Sequence, residues 1–538
     1  MRECFQTDKY PERAHIQFPG SSCCEDGSRM QSAKAGRGTL YLTTQQLIQY
    51  LVAFIFYAGV ARFITQAEVG LWSILAASTA VFATLTLLGL PVATQKYVSE
   101  NYGRRDLCAA ASVSRVSFTV IALSTIPIST GVLLLSPTLS TLILGGAEYT
   151  IPFALTISAS AILNFTALYG ADMLALGMFP EFAIQNLAFI LVSRASGLAL
   201  GYWGYGLLGL AAGSLVGALS CLVLSVRFMW KKLPKPSKQL GNVYGTVLRY
   251  CYPIWFLAAI TLAQGWADIT ILYALTGQAA LTGIYYLATA GATLLAIFWA
   301  AISTVILPLM SSEEARVGRQ AIRAIYNTSS RILNILIPPI GAGLAAISPT
   351  AIIIAYGRPY LEGAAPFALL TATAILPAYV SINTSTLQAI AETKALAKIG
   401  VASAIIDMTL VTILVRPLEA NGAALARVAM YMATFLLTRK ILAKKAEIKI
   451  DLSHLAKALA LAAIVALPLA VVDYAFTYLR PMNPMARLLV EGVFFLAIYT
   501  ISVRLFRVVE EQDLEILEKA LPRQLKRIVD MFEGFIIR

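Results

Sequence analysis

From Thr39 to Leu505 the chain is a succession of apolar stretches separated by short polar loops, most of the stretches longer than a soluble helix needs. Crossing the hydrocarbon core of a bilayer takes about 20 residues of helix, so each stretch predicts a transmembrane span. Fourteen can be placed. The first six run Thr39 to Ala61, Leu71 to Ala93, Val116 to Leu135, Ile151 to Leu174, Phe182 to Trp203 and Gly206 to Met229. The next six run Cys251 to Leu275, Gly283 to Leu309, Ile332 to Ile347, Ala365 to Ala389, Ile399 to Val415 and Ala423 to Leu437. Leu455 to Phe476 and Leu488 to Leu505 complete the set. With 58% hydrophobic and 13% charged residues, against about 25% charged in a soluble domain, the chain is not a soluble globular protein. The expected fold class is an all-α polytopic membrane protein.

Residues 1–38 carry both charge signs and lack the apolar run of a cleavable signal peptide, so they are expected to be a disordered cytoplasmic tail. Met30 stands just before the first span as an alternative start. Glu510 to Arg538 alternates acids and bases with Leu514, Leu517, Leu521 and Leu525, which predicts a cytoplasmic amphipathic segment within 508–538.

The formal charge of +13 is distributed as topology, not as a nucleic-acid patch. Lys and Arg gather after even-numbered spans: Arg104 and Arg105 after the second, Lys231, Lys232, Lys235 and Lys238 after the sixth, Arg319 and Arg323 after the eighth, Lys444 and Lys445 after the twelfth. The positive-inside rule then puts both termini in the cytoplasm of a cell-membrane protein. Six cysteines without a CxxC pair, with only His15 and His454, predict no metal and no cofactor. Gly204-Tyr205-Gly206-Leu207-Leu208-Gly209 matches GxGxxG but follows no strand; Gly209, Gly213 and Gly217 read instead as a small-residue ridge for helix packing. No Walker A sequence is present.

Sliding the chain against itself exposes a duplication. Pro127-Ile128, Gly131 and Ser136-Pro137-Thr138 recur as Pro339-Ile340, Gly343 and Ser348-Pro349-Thr350, at an offset of 212. Pro152-Phe153-Ala154-Leu155 recurs as Pro366-Phe367-Ala368-Leu369 at 214. Gly70-Leu71-Trp72 matches Gly283-Ile284-Tyr285, and Gly209-Leu210-Ala211 matches Gly422-Ala423-Ala424, both at 213. The unit is six spans, an even number, so the halves are parallel repeats: a first lobe at 39–230, a basic linker at 231–250, a second lobe at 251–443, and two further spans at 444–507.

Ala67-Glu68-Val69-Gly70-Leu71-Trp72, Thr282-Gly283-Ile284-Tyr285-Tyr286-Leu287-Ala288, Tyr356-Gly357-Arg358-Pro359-Tyr360 and Asn421-Gly422-Ala423-Ala424 carry a resemblance over about residues 39 to 507. In them the chain resembles the polysaccharide and lipid-linked oligosaccharide flippases of the superfamily that also holds MATE drug exporters and lipid II flippases. The resemblance implies a two-lobed MATE-like fold that moves a polyprenyl-linked sugar head group outward by alternating access; H⁺ or Na⁺ is the expected coupling ion, since an Asp inside a span can titrate or hold Na⁺. Partners would be membrane lipids and glycan-synthesis enzymes, and no nucleic acid. Alternatives are a MATE-like cation antiporter and, more remotely, a membrane-embedded glycosyltransferase or ligase.

The resemblance also implies that the first two helices of each lobe line the central cavity. Gln46, Gln49, Tyr50 and Tyr57 share a polar face of the first span, and Thr261, Gln264 and Asp268 one of the seventh; Tyr286, Thr289 and Thr293 follow on the eighth. Amides, hydroxyls and aromatic faces are the groups sugars bind. Lipid II flippases have a strongly cationic cavity, whereas the first span here offers glutamines with only Arg62 at its outer end. Charges inside spans are costly. Arg194, Asp268 and Asp407 lie deep, the first and last 213 residues apart, and are expected to be polar anchors or ion-coupling groups inside their lobes. Asp172 sits nearer the cytoplasmic face, and Arg115, Arg487 and Glu491 lie near span ends, from which long side chains snorkel to the interface.

Overall fold

The computed structural model describes residues 22–506 except 231, 235–240, 301, 304, 305, 307, 308, 311–317, 449, 450 and 477–482. The first 21 residues, including His15, and the segment Glu510 to Arg538 lie outside the described residues. All regular structure among those described is helical. Among the described residues, ten helices are long and apolar enough to cross a membrane, or up to twelve if each of two bent pairs is one span. Large aliphatic side chains such as Leu123, Leu142, Leu467 and Leu489 face outward, each more than two thirds exposed, as a lipid-facing surface requires.

The first half comprises α1 (Ser22–Phe63), α2 (Gln66–Leu87), α3 (Leu90–Gly103), α4 (Leu107–Leu134), α5 (Ser136–Leu144), α6 (Thr150–Ala175), α7 (Phe179–Leu200) and α8 (Gly206–Met229). α1 reaches back to Ser22, into the stretch expected to be disordered. Its exit is set by a capping box: the Thr65 hydroxyl accepts from the Glu68 N–H, and the Glu68 carboxylate from the Thr65 N–H at 3.2 Å. The other Glu68 oxygen accepts from the Leu207 N–H at 3.1 Å, tying the start of α2 to the start of α8. Gly89, at φ +77°, and Pro91 make the break at which α3 departs from α2.

α7 and α8 are written as one 51-residue apolar run, yet Gly204 at φ +88° turns the chain back on itself. The glycine ridge makes the return possible. A Cβ on Gly213 would stand 2.5 Å from the Gly197 nitrogen, one on Gly217 2.5 Å from Ser193 Cβ, and one on Gly209 2.8 Å from Leu200 Cβ.

The second half holds α9 (Gly241–Thr276), α10 (Ala279–Ala292), α11 (Arg319–Ala346), α12 (Ser348–Tyr356), α13 (Ala364–Ala372), α14 (Ile375–Ala389) and α15 (Thr393–Lys445). α15 also folds back, at Glu419 (φ +49°), and Thr434 on its second arm donates to Ser403 on its first at 2.7 Å. α9 belongs to both halves. Its beginning packs into the first half, where Val247 and Cys251 join the cluster around Leu90, Val98 and Ile121, and Trp255 donates to the Thr84 carbonyl at 2.9 Å.

The halves meet most closely where α2 and α10 start. A Cβ on Gly70 would fall 1.8 Å from the Ala279 oxygen, and one on Gly283 2.2 Å from the Gln66 oxygen. Gly70 and Gly283, like Gln66 and Ala279, are 213 residues apart. Each contact is therefore the image of the other.

α16 (Leu452–Tyr474) and α17 (Pro484–Phe506) complete the described chain. Asp451 caps α16, and its bonds to Ser453 and His454 hold its carboxyl below the usual carboxylate range. Here one expectation is corrected: Arg487 and Glu491 do not snorkel. Arg487 is buried against Asp473 and bonds Glu491 at 2.8 Å, while the Thr350 hydroxyl donates to Asp473 at 2.7 Å. Two facing helices supply opposite charges, so pairing inside replaces the path to water. Arg487→Met takes the cation away from two buried acids and is expected to cost about 3–5 kcal/mol in fluorescence-detected thermal unfolding. Adding Asp473→Asn and Glu491→Gln should recover most of that loss, and an unshifted single variant would refute the assignment.

Candidate functional site

Between the halves lies a cavity of about 440 Å³. α1 contributes Gln46, Gln49, Tyr50 and Tyr57; α10 and the turn after it contribute Tyr286, Thr289 and Thr293. Arg194 enters from α7, Gly265, Trp266 and Ile269 from α9, and Arg427 from the second arm of α15. The Tyr57 and Tyr286 hydroxyls bond each other at 2.7 Å across the two halves, and the Trp266 ring stacks on Tyr286 at 6.5 Å between centroids. Thr289 and Thr293 donate back to their own helix, which leaves hydroxyl oxygens as acceptors. Gln46 and Gln49 are exposed.

Among the described residues, the two charged side chains lining the cavity are both arginines, and no Asp or Glu lines it. The Arg194 guanidinium lies over the Phe56 ring at 4.2 Å and Tyr57 at 5.5 Å, a cation–π seat in place of a carboxylate partner. It also borders a cavity of about 160 Å³ inside the first half. Arg427 grips Asp268: its Nε lies 2.7 Å from one carboxylate oxygen and its Nη2 donates to the other at 2.7 Å. Asp268 is fully buried and accepts also from the Tyr285 hydroxyl. Asp407 is 1% exposed, with no hydrogen-bond partner among the described residues on either carboxylate oxygen.

Eight of the residues singled out in the sequence thus border one cavity, and the seventh-span group does not. Thr261 donates to its own Leu257 carbonyl, Gln264 to the Gly400 carbonyl on α15 at 3.1 Å, and Asp268 pairs with Arg427. Gln264 and Asp268 are turned onto α15, Thr261 is exposed, and the aromatic Trp266 faces the cavity instead. Arg427 escaped the sequence reading although it lies within the predicted span Ala423 to Leu437, where the cost of a charge is the signal that marks it. Asp172 is likewise buried, accepting from Ser114 at 2.7 Å.

A family profile described as "Polysaccharide biosynthesis protein" matches residues 35–313, just over half of the chain. The chain belongs to that family. Stage V sporulation protein B of Bacillus subtilis is 28% identical over 212 residues, which is 38% of this chain and 40% of that relative. The alignment therefore spans well under two thirds of the curated relative. Among solved structures, the inward closed conformation of the lipid II flippase MurJ superposes with a TM-score of 0.70 at 14% identity, covering 87% of this chain and 98% of that one. An inward-facing multidrug resistance MATE transporter gives 0.59 at 13% identity over 74% and 95%. A Pyrococcus furiosus transporter of the MOP superfamily, titled for the reverse polarity of its binding pocket, gives 0.56 at 12% identity over 76% and 96%. At these identities the likeness is one of fold. The family member described here is a multi-pass membrane protein with the MurJ and MATE fold.

Proposed function

We propose that the protein translocates a polyprenyl-linked oligosaccharide outward across the cell membrane by alternating access, with both termini cytoplasmic. Counting each folded-back helix as two crossings brings the twelve possible spans to fourteen. The mirrored contacts at Gly70 and Gly283 support two parallel six-span lobes related at an offset of about 213 residues. The observation that carries the reading is the cavity's chemistry: amides, hydroxyls and aromatic rings beside two arginines, with no acid among the described lining residues. A saccharide joined to a polyprenyl chain through phosphate presents hydroxyls, an apolar ring face and fixed negative charge, and the lining answers each. Gln46, Gln49, Tyr50, Tyr57, Tyr286, Thr289 and Thr293 are the head-group contacts, and Arg194 and Arg427 the phosphate contacts.

A MATE-like antiporter of cations would need acids facing the cavity. The acids of the second lobe are turned away from it, Asp268 onto Arg427.

In vesicles holding a fluorescent lipid-linked oligosaccharide, Gln49→Leu and Arg194→Gln are each expected to slow translocation at least about tenfold at unchanged folded yield, the loss of one or two hydrogen bonds to a polar or charged group. Gln264→Leu should lower stability instead, because its amide bridges α9 to α15. Wild-type rates in both cavity variants, or extrusion of cationic dyes with no movement of the glycolipid, would overturn the proposal.

A further inference from the structure

Head-group recognition does not explain why one arginine of the cavity wall is held by a buried acid while a second buried acid beside it has no hydrogen bond among the described residues. Arg427 has 15% of its side chain exposed, borders the cavity, and is held by Asp268 and by the Gly265 carbonyl at 3.2 Å. Around it, α9 supplies Asp268, α10 supplies Tyr285, and α15 supplies Asp407 on its first arm and Tyr431 one turn beyond Arg427. Asp407 interacts electrostatically with Asp268 and Arg427, and neither of its oxygens is hydrogen-bonded. One cation is set against two carboxylates, and it is the only member of the three that reaches the cavity.

We infer that Arg427 exchanges partners during transport: an anionic diphosphate ester entering the cavity draws the guanidinium from Asp268, and the Asp268–Asp407 pair takes up one proton from water as it leaves. The inference rests on the reading of the cavity as a glycolipid site. Arginine keeps its charge throughout. The guanidinium passes from a carboxylate to a phosphate, and the incoming proton replaces it on the two acids, which cannot share a buried site as bare anions. Diphosphate binding and proton binding are then linked, each tightening the other by the same factor.

Calorimetry on the full-length protein in detergent tests this, with a short-chain prenyl diphosphate hexose as probe. Both phosphates of that diester stay ionised near neutral pH, so any proton taken up belongs to the protein. For the wild type, affinity should rise up to about tenfold per unit fall in pH, with about one proton taken up per probe in buffers of different ionisation enthalpy. Asp268→Asn releases Arg427 in advance; it should bind more tightly than wild type at high pH and lose the slope, where a merely structural pair would bind more weakly. Arg427→Gln should bind weakly at every pH. Since that variant strands Asp268, Arg427→Gln with Asp268→Asn serves as its folded counterpart and should be equally weak and flat. Wild-type binding without proton uptake, or weaker binding by Asp268→Asn, overturns the exchange and leaves the cavity reading intact. No binding of the probe to the wild type overturns both.

Discussion

Gly70→Val and Gly283→Val are each expected to reduce transport at least about tenfold while leaving the protein folded and inserted. In either variant the first added carbon falls inside the van der Waals radius of a backbone oxygen, 1.8 Å from Ala279 O or 2.2 Å from Gln66 O. A backbone carbonyl cannot rotate out of the way, so the two halves must part at this seam. Overpacking costs about 3 kcal/mol, enough to shift the balance between closed and open seam by about two orders of magnitude. Fold is spared because the contact is between lobes, not within one. The seam lies at the end read as outer. A single cysteine replacing Gln49 should therefore become reactive to a membrane-impermeant maleimide from outside in Gly70→Val, having been protected in the parent. Unchanged labelling together with normal transport would remove the seam from the mechanism.

Gly213→Val is expected to do the opposite, removing folded protein before transport can be measured. Its Cβ would meet the Gly197 nitrogen at 2.5 Å, a backbone atom that cannot move aside without parting the α7–α8 return. Separating these arms also pulls on the Glu68 bond to Leu207, and so on the start of α2. Without a hydrophobic force between helices in lipid, close backbone approach is a large part of what holds a hairpin together. Gly422→Val should behave alike, since its Cβ would stand 2.1 Å from the Leu414 oxygen across the second return. The measurement is monodisperse yield in size-exclusion chromatography and thermal stability. Gly265→Ala, with nothing within 4 Å of the added carbon, is the control expected to be silent on stability. A monodisperse Gly213→Val protein of wild-type stability would show the ridge to be dispensable.

Membrane class, the apolar stretches and the glycine ridge were legible in the linear chain, because lipid forces backbone hydrogen bonds into helices and makes small residues valuable where helices touch. Helical spacing also collected Gln46, Gln49, Tyr50 and Tyr57 onto one face of α1, and that face borders the cavity. The rotation of a helix about its own axis was not legible. α9 carries a polar face as clear as that of α1, yet Gln264 and Asp268 are turned onto α15, and Trp266 lines the cavity. Which face a helix presents depends on the donors and charges its neighbour offers, and those come from residues more than a hundred positions away. Arg427 pairing with Asp268, 159 residues apart in the chain, has the same origin, whereas Arg487 finds Glu491 on its own helix and Asp473 only where α16 packs against α17. The cost of a charge in lipid can be read from sequence; the partner that offsets it exists only once the helices have packed.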